Sequence, residues 1–159
     1  MSTTAIPAAE QADLSDVELR AWRGLVRAYD TLVKRLDAEL EALHGIGLSS
    51  YEVLCSLNQA PDRQMRMCDL ADSVGLSRSG LTRLVDRLER DGLIARACCH
   101  SDARGSYAVL TEAGRRRLEE ARPTHLAGVR RDLVAPFSEP ELHRLAALWA
   151  RVVTLERDG

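Results

Sequence analysis

The chain has 159 residues, enough for one compact domain whose folding buries roughly two-thirds of its unfolded surface. Hydrophobic residues make up 45%, charged residues 29% and aromatics 4%; this is an ordinary globular balance, and the scarcity of rings argues against a stacking surface for single-stranded nucleic acid. No apolar run approaches the roughly 18 residues that cross a bilayer, and the opening MSTTAIPAAEQADLSD has neither a basic stretch nor an apolar core of the signal-peptide kind, so the expectation is a cytoplasmic protein with no membrane partner.

The net charge of -2 is unevenly spread. Residues 1–62 carry 5 basic and 10 acidic side chains, residues 63–131 carry 14 and 9, and residues 132–159 carry 3 and 5. All 14 basic residues of the middle are Arg, and the single Lys of the chain is Lys34. A basic centre between acidic ends suits a local surface that faces a polyanion.

Residues 1–16 are expected to be a flexible N-terminal segment. From 17 to 43, Trp22, Leu25, Val26, Tyr29, Leu32, Val33, Leu36, Leu40 and Leu43 repeat at helical spacing, which predicts one long amphipathic helix. At about 1.5 Å per residue it would run roughly 40 Å, longer than one small core covers, so part of it needs a partner. HGIG at 44–47 stops it. SSYE then predicts the next helix over about 49–59, with Ser49 as N-cap and Glu52 as the capping-box acid.

A short helix over 67–73 precedes SVGLS, and another starts at Ser77 as N-cap and runs to Asp91, with Gly92 placed to cap its end. LIARACC and SYAVL then read as two short strands joined by HSDARG. Thr111 caps a helix with Leu118, Ala121, Leu126, Val129 and Leu133 as its apolar positions, which Pro123 is expected to kink or divide. Ser138, Pro140 and Glu141 open a last helix with Leu142, Leu145, Leu148, Trp149, Val152 and Leu155 along one side. The fold expected is mainly α with a small β-hairpin, and the apolar terminal helices pair most simply with each other and with a second copy.

LADSVGLSRSGLTRLV carries a helix-turn-helix spacing: small Ala71 at the helix crossing, Gly75 in the turn, and Leu70, Val74, Leu76, Leu81, Leu84 and Val85 as shared core. A plain helical hairpin would share most of that apolar pattern. The outward face of the second helix separates the two readings. Arg78, Ser79, Thr82, Arg83, Asp86 and Arg87 lie there, and Gly80 permits close backbone approach. Hydroxyls and guanidinium groups near a helix N-terminus at Ser77 and Arg78 can reach phosphates and base edges in a major groove. Asp86 and Glu89 oppose this unless paired, with Arg83, Arg87 or Arg90 as the expected partners.

Over residues 17–157 the order of elements resembles the MarR family of winged helix-turn-helix transcriptional regulators. The resemblance is carried by Leu88, Glu89, Gly92 and Leu93, matching a recognition helix that ends LE..GL, by Asp102 and Arg104 of a D-x-R wing, and by Leu110, Thr111 and Gly114 of the returning LT..G. Ala103 stands where the family often has a first wing Arg. The resemblance implies a winged helix-turn-helix over 49–114, with dimerisation helices over 17–48 and 115–159. It further implies a homodimer on double-stranded DNA at a pseudo-palindromic operator, most often as a repressor. DNA contacts are expected from Ser77, Arg78, Ser79, Thr82, Arg83 and Arg87, with Arg104 reaching the minor groove and Asp102 bracing the wing.

Family members respond to a small aromatic or phenolic effector, to thiol oxidation or to zinc. Trp22, Tyr29 and His44 lie on elements that could border an effector pocket, although Trp22 and Tyr29 at helical spacing fit a core better. Cys55 sits in an apolar segment, where a thiol is buried and inert. Of Cys98 and Cys99, adjacent on a strand, one is expected to be exposed near the wing, where a redox input could act. Glu41, His44, His125 and His143 show no ligand spacing, so no metal and no cofactor is expected. No catalytic motif occurs, and the expectation is a protein without enzymatic activity; a helical protein-interaction module without DNA binding is the competing reading.

Overall fold

The computed structural model describes residues 13–98 and 106–154. The elements run α1 (Asp16–His44), α2 (Leu48–Gln59), β1 (Gln64–Arg66), α3 (Met67–Ser73), α4 (Arg78–Arg90), β2 (Ile94–Cys98), β3 (Ser106–Leu110), α5 (Glu112–Val129), a π-helical turn (Arg130–Val134) and α6 (Glu139–Thr154). A helical molecule with one small antiparallel sheet is the architecture expected from the sequence.

Local chemistry sets most helix ends. Ser15 and Glu18 close a capping box at the start of α1, and Gly45 ends that helix in the left-handed region. Thr111 Oγ1 accepts the Gly114 N–H at 3.0 Å at the start of α5 and itself donates to the Gly92 carbonyl at 2.7 Å. At α6 the Glu141 carboxylate accepts both the Ser138 N–H and hydroxyl.

The start of α2 differs from expectation. Gly47 is the N-cap and Ser49 makes no capping bond; the helix begins at Leu48, whose N–H donates to Asp37 Oδ1 of α1 at 2.7 Å. The cap is supplied from eleven residues away, and Gly47 makes room for it, since a Cβ there would lie 2.7 Å from the same oxygen. A second difference is β1, which no alternation in Gln64, Met65 and Arg66 foretells. It exists because β3 offers it an edge: Gln64 pairs with Val109, Met65 with Ala108 and Arg66 with Tyr107, giving the order β1-β3-β2. A third is Pro123, which neither ends nor divides α5, as the helix is continuous over Glu112–Val129. Pro123 has no N–H to donate to the carbonyl of Glu119, and Glu119 lies on the exposed side of the helix, where the loss of one helical bond is tolerated.

One core unites α2, α3, α4, the sheet, the C-terminal half of α1 and, through Leu118 and Ala121, α5. Leu40, Leu54, Leu57, Leu70, Leu81 and Ile94 are all completely enclosed or nearly so. Of α1 only Leu36 and Leu40 are buried. Trp22 and Tyr29, which suit a core by spacing, are instead 59% and 68% exposed in the single chain, and Leu148, Trp149, Val152 and Val153 of α6 are exposed with them. Leu126 of α5, at a core-like position, is also exposed. An open apolar groove of about 950 Å³ between α1 and α6 is lined by Trp22, Leu25, Leu145, Leu148 and Trp149.

Candidate nucleic-acid interface

The α3–α4 pair is held by the residues its spacing singled out. Leu70, Ala71, Leu81, Leu84 and Val85 are buried, with Val74 and Leu76 packed against them. Gly75 turns the chain at φ 65, with its N–H on the Asp72 carbonyl and the Leu76 N–H on the Ala71 carbonyl. The same pair of bonds recurs at Gly92, φ 73, where the Gly92 and Leu93 N–H groups bond the Glu89 and Leu88 carbonyls. Both are Schellman turns, in which the left-handed residue must be one without a Cβ penalty.

The outward side of α4 is as expected: Ser77, Arg78, Ser79, Thr82, Arg83, Asp86 and Arg87 are all exposed. Several are already engaged within the chain. Ser77 Oγ caps the helix by accepting the Gly80 N–H at 3.1 Å. A Cβ on Gly80 would lie 3.0 Å from that oxygen, so Gly80 also protects the cap. Thr82 donates to the Arg78 carbonyl at 2.8 Å, and Arg83 Nε donates to the Ser79 carbonyl at 3.4 Å. The Arg87 guanidinium donates to Ser50 Oγ of α2 at 3.1 Å; Ser50 is only 1% exposed, so this bond satisfies a buried hydroxyl and fixes one end of an exposed arginine. Asp102 and Arg104, the expected wing contacts, lie outside the described residues.

Asp86 and Glu89 find a partner that the sequence did not suggest. Arg96 of β2 places one guanidinium nitrogen 2.6 Å from Asp86 Oδ1 and another 2.8 Å from Glu89 Oε2. Its backbone N–H donates to Glu89 Oε1 at 3.2 Å. Hydrogen bonding to Asp86 holds the Arg96 guanidinium above its usual pKa. Arg83, Arg87 and Arg90 of α4 bond elsewhere, with Arg90 Nε on the Asp86 backbone carbonyl at 3.4 Å. The only local signal for Arg96 is its place on an outward-facing strand position.

The groups considered for sensing are spread through the chain. His44 Nε2 is 2.8 Å from Thr124 Oγ1, joining α1 to α5. The His125 ring lies 4.5 Å from that of Tyr51, its buried Nδ1 has no hydrogen-bond partner among the described residues, and burial lowers its pKa. Cys55 is half-buried, and burial pushes its thiol pKa up, which disfavours the reactive thiolate. Cys98 ends β2, and Cys99 lies outside the described residues. Among the described residues no three His, Cys, Asp or Glu side chains gather as a metal-ligand set, and no helix is long and apolar enough to cross a membrane.

A helix-turn-helix followed directly by a small antiparallel sheet, with arginines and hydroxyls along the second helix, defines a winged helix-turn-helix protein. Residues 46–106 match the model of the MarR family. AbsC of Streptomyces coelicolor, a MarR family transcriptional regulator, is 32% identical, with 94% of this chain and all of that one covered at a TM-score of 0.85. Sco3205, a MarR family regulator of the same organism solved in complex with DNA, is 31% identical over 89% of each chain, also at 0.85. The transcriptional regulator MhqR of Bacillus subtilis is 25% identical over 139 residues, which are 87% of this chain and 93% of that one. The chain belongs to the MarR family of transcriptional regulators, which are not enzymes.

Proposed function

We propose that the protein is a homodimeric repressor that binds a pseudo-palindromic site in double-stranded DNA, with its affinity modulated by a small aromatic or phenolic effector. The observation that carries the DNA reading is the exposed row Arg78, Ser79, Thr82, Arg83 and Arg87 on a helix that is rigidly capped at Ser77. The 31% identical Sco3205 was solved on DNA, which supports the same use of the fold. In this reading α4 lies in the major groove, Arg104 enters the flanking minor groove and Asp102 braces the wing.

Exposure of Val17, Trp22, Val26 and Tyr29 on α1 together with Leu148, Trp149 and Val152 on α6 supports a second copy covering residues 17–48 and 115–159. Two α4 helices related by a dyad then meet half-sites about 10 base pairs apart. A dimer seated on a promoter blocks access to it, which is the repressor reading. For the effector, a cavity of about 330 Å³ lies where α5 meets α2 and α3, bordered by Tyr51, Cys55, Ser73 and His125. It adjoins both the dimerisation helices and the helix-turn-helix, and the Tyr51 and His125 rings at its border suit a small aromatic.

The test is a gel shift of the full chain on the promoter region beside its own gene. A shift at low salt is expected, Arg104→Ala weakens it, and phenolic acids raise the protein concentration it requires. No shift by a folded dimer favours the protein-interaction reading.

A further inference from the structure

Two carboxylates stand on the helix that the proposed function places against DNA. Asp86 lies on the exposed side of α4 with Thr82, Arg83 and Arg87, and Glu89 is one turn further along. A carboxylate near phosphate oxygens is repulsive, and the repulsion grows as the closing interface expels water and lowers the effective dielectric. The arginines of α4 do not neutralise the pair, since the side-chain bonds of Arg83 and Arg90 go to backbone carbonyls and that of Arg87 to Ser50.

We infer that Arg96 is a positioning residue for DNA binding, which neutralises Asp86 and Glu89 at the edge of the recognition helix so that its arginines face the duplex unopposed. The inference rests on the DNA-binding reading. Its ground is a two-ended grip: one guanidinium nitrogen on each carboxylate, at 2.6 and 2.8 Å, with the Arg96 N–H on the second oxygen of Glu89. A planar guanidinium can serve two acids at once in fixed geometry, which an ammonium does less well. The side chains of Asp86, Glu89 and Arg96 are 49%, 39% and 30% exposed, so water screens these pairs in the free protein and they add little to its stability. The neutralisation matters when the duplex arrives. The same contacts tie β2, the strand leading to the proposed wing, to α4.

Charge neutralisation and a mere strand-to-helix latch make different predictions. The full-length protein is titrated onto a duplex recovered by wild-type selection from genomic fragments, at about 0.1 M salt. Arg96→Met is expected to bind about tenfold more weakly, because two uncompensated charges then oppose the phosphates. Adding Asp86→Asn and Glu89→Gln to Arg96→Met removes those charges without restoring the latch, and is expected to recover most of the affinity. Unchanged binding by Arg96→Met, or a triple variant as weak as Arg96→Met, overturns the inference. If Arg96→Met does not fold, the double variant Asp86→Asn/Glu89→Gln with Arg96 retained decides: neutralisation predicts binding at least as tight as wild type, and weaker binding overturns it. Failure of the wild type to retain any duplex is a separate outcome that removes the DNA reading before a variant is made.

Discussion

Gly114→Ala is the substitution for which the structure makes its sharpest quantitative statement. Gly114 lies in the first turn of α5, where a Cβ would sit 2.1 Å from the Leu93 carbonyl oxygen, 3.0 Å from that carbonyl carbon and 2.7 Å from Leu110 Cδ1. The leucine methyl can turn aside, but the carbonyl belongs to the backbone at the entrance to β2 and also accepts the Thr111 N–H at 3.2 Å. To admit the methyl, α5 must lift from the hairpin. Overpacking of this kind costs about 1–3 kcal/mol, and straining the Thr111 cap, whose hydroxyl links Gly92 to Gly114, adds about 1 kcal/mol. Alanine returns up to about 1 kcal/mol through its helix propensity. The net expectation is a loss of about 1–3 kcal/mol, seen as a fall in Tm of roughly 3–10 °C at fixed protomer concentration. Gly128→Ala, in the last turn of the same helix, provides the comparison: its Cβ would meet Leu36 Cδ2 at 2.5 Å, a side-chain atom able to move, so the cost is smaller. A Gly114→Ala protein as stable as wild type, or a Gly128→Ala protein more damaged than it, would show that the Leu93 carbonyl is not what excludes a side chain at 114.

Further outcomes follow from the same structure. Asp37→Ala should cost about 1 kcal/mol in urea unfolding by removing the cap of α2, whereas Ser49→Ala should lie within about 0.5 kcal/mol of wild type; the reverse order would return the cap to Ser49. Burial holds His125 below its ordinary pKa of 6.5, so the unfolded chain takes up a proton that the folded chain refuses. Its contribution to stability is therefore complete above the unfolded value, falls as the pH drops through about 6.5, and levels off below the depressed folded pKa. His125→Phe should flatten the dependence of Tm on pH between about 7.5 and 5.5, and an identical slope in the two proteins excludes His125 as its source. Arg83→Ala should weaken DNA binding and make the salt slope about one unit shallower; a shallower slope without loss of affinity contradicts a direct contact.

Elements whose cause is local were legible in the sequence. Ser77, Thr111 and Ser138 cap helices through groups three residues away, and Gly75 and Gly92 mark turns that only their own backbones decide. The same local rule failed at Ser49 because the acceptor for Leu48 is Asp37, on another helix. β1 was invisible because three residues carry no period and become a strand only against β3. Trp22 and Tyr29 carry a true core pattern on a part of α1 that this chain alone does not cover. In the candidate interface the outward face of α4 could be read from helical spacing, while Arg96 could not, because its partners lie seven and ten positions away on a different element. Asp102 and Arg104 rest on the family resemblance.

Binding of duplex DNA by α4 and its dyad mate, as proposed, has a signature in the salt dependence of affinity. Fluorescence anisotropy of the full chain on a duplex carrying a selected pseudo-palindrome, followed from about 50 to 300 mM salt, should give log affinity falling linearly with log salt at a slope near -7 if about eight phosphates are neutralised. A folded dimer that binds no selected duplex at the lowest salt, or binds with a slope near zero, would contradict it.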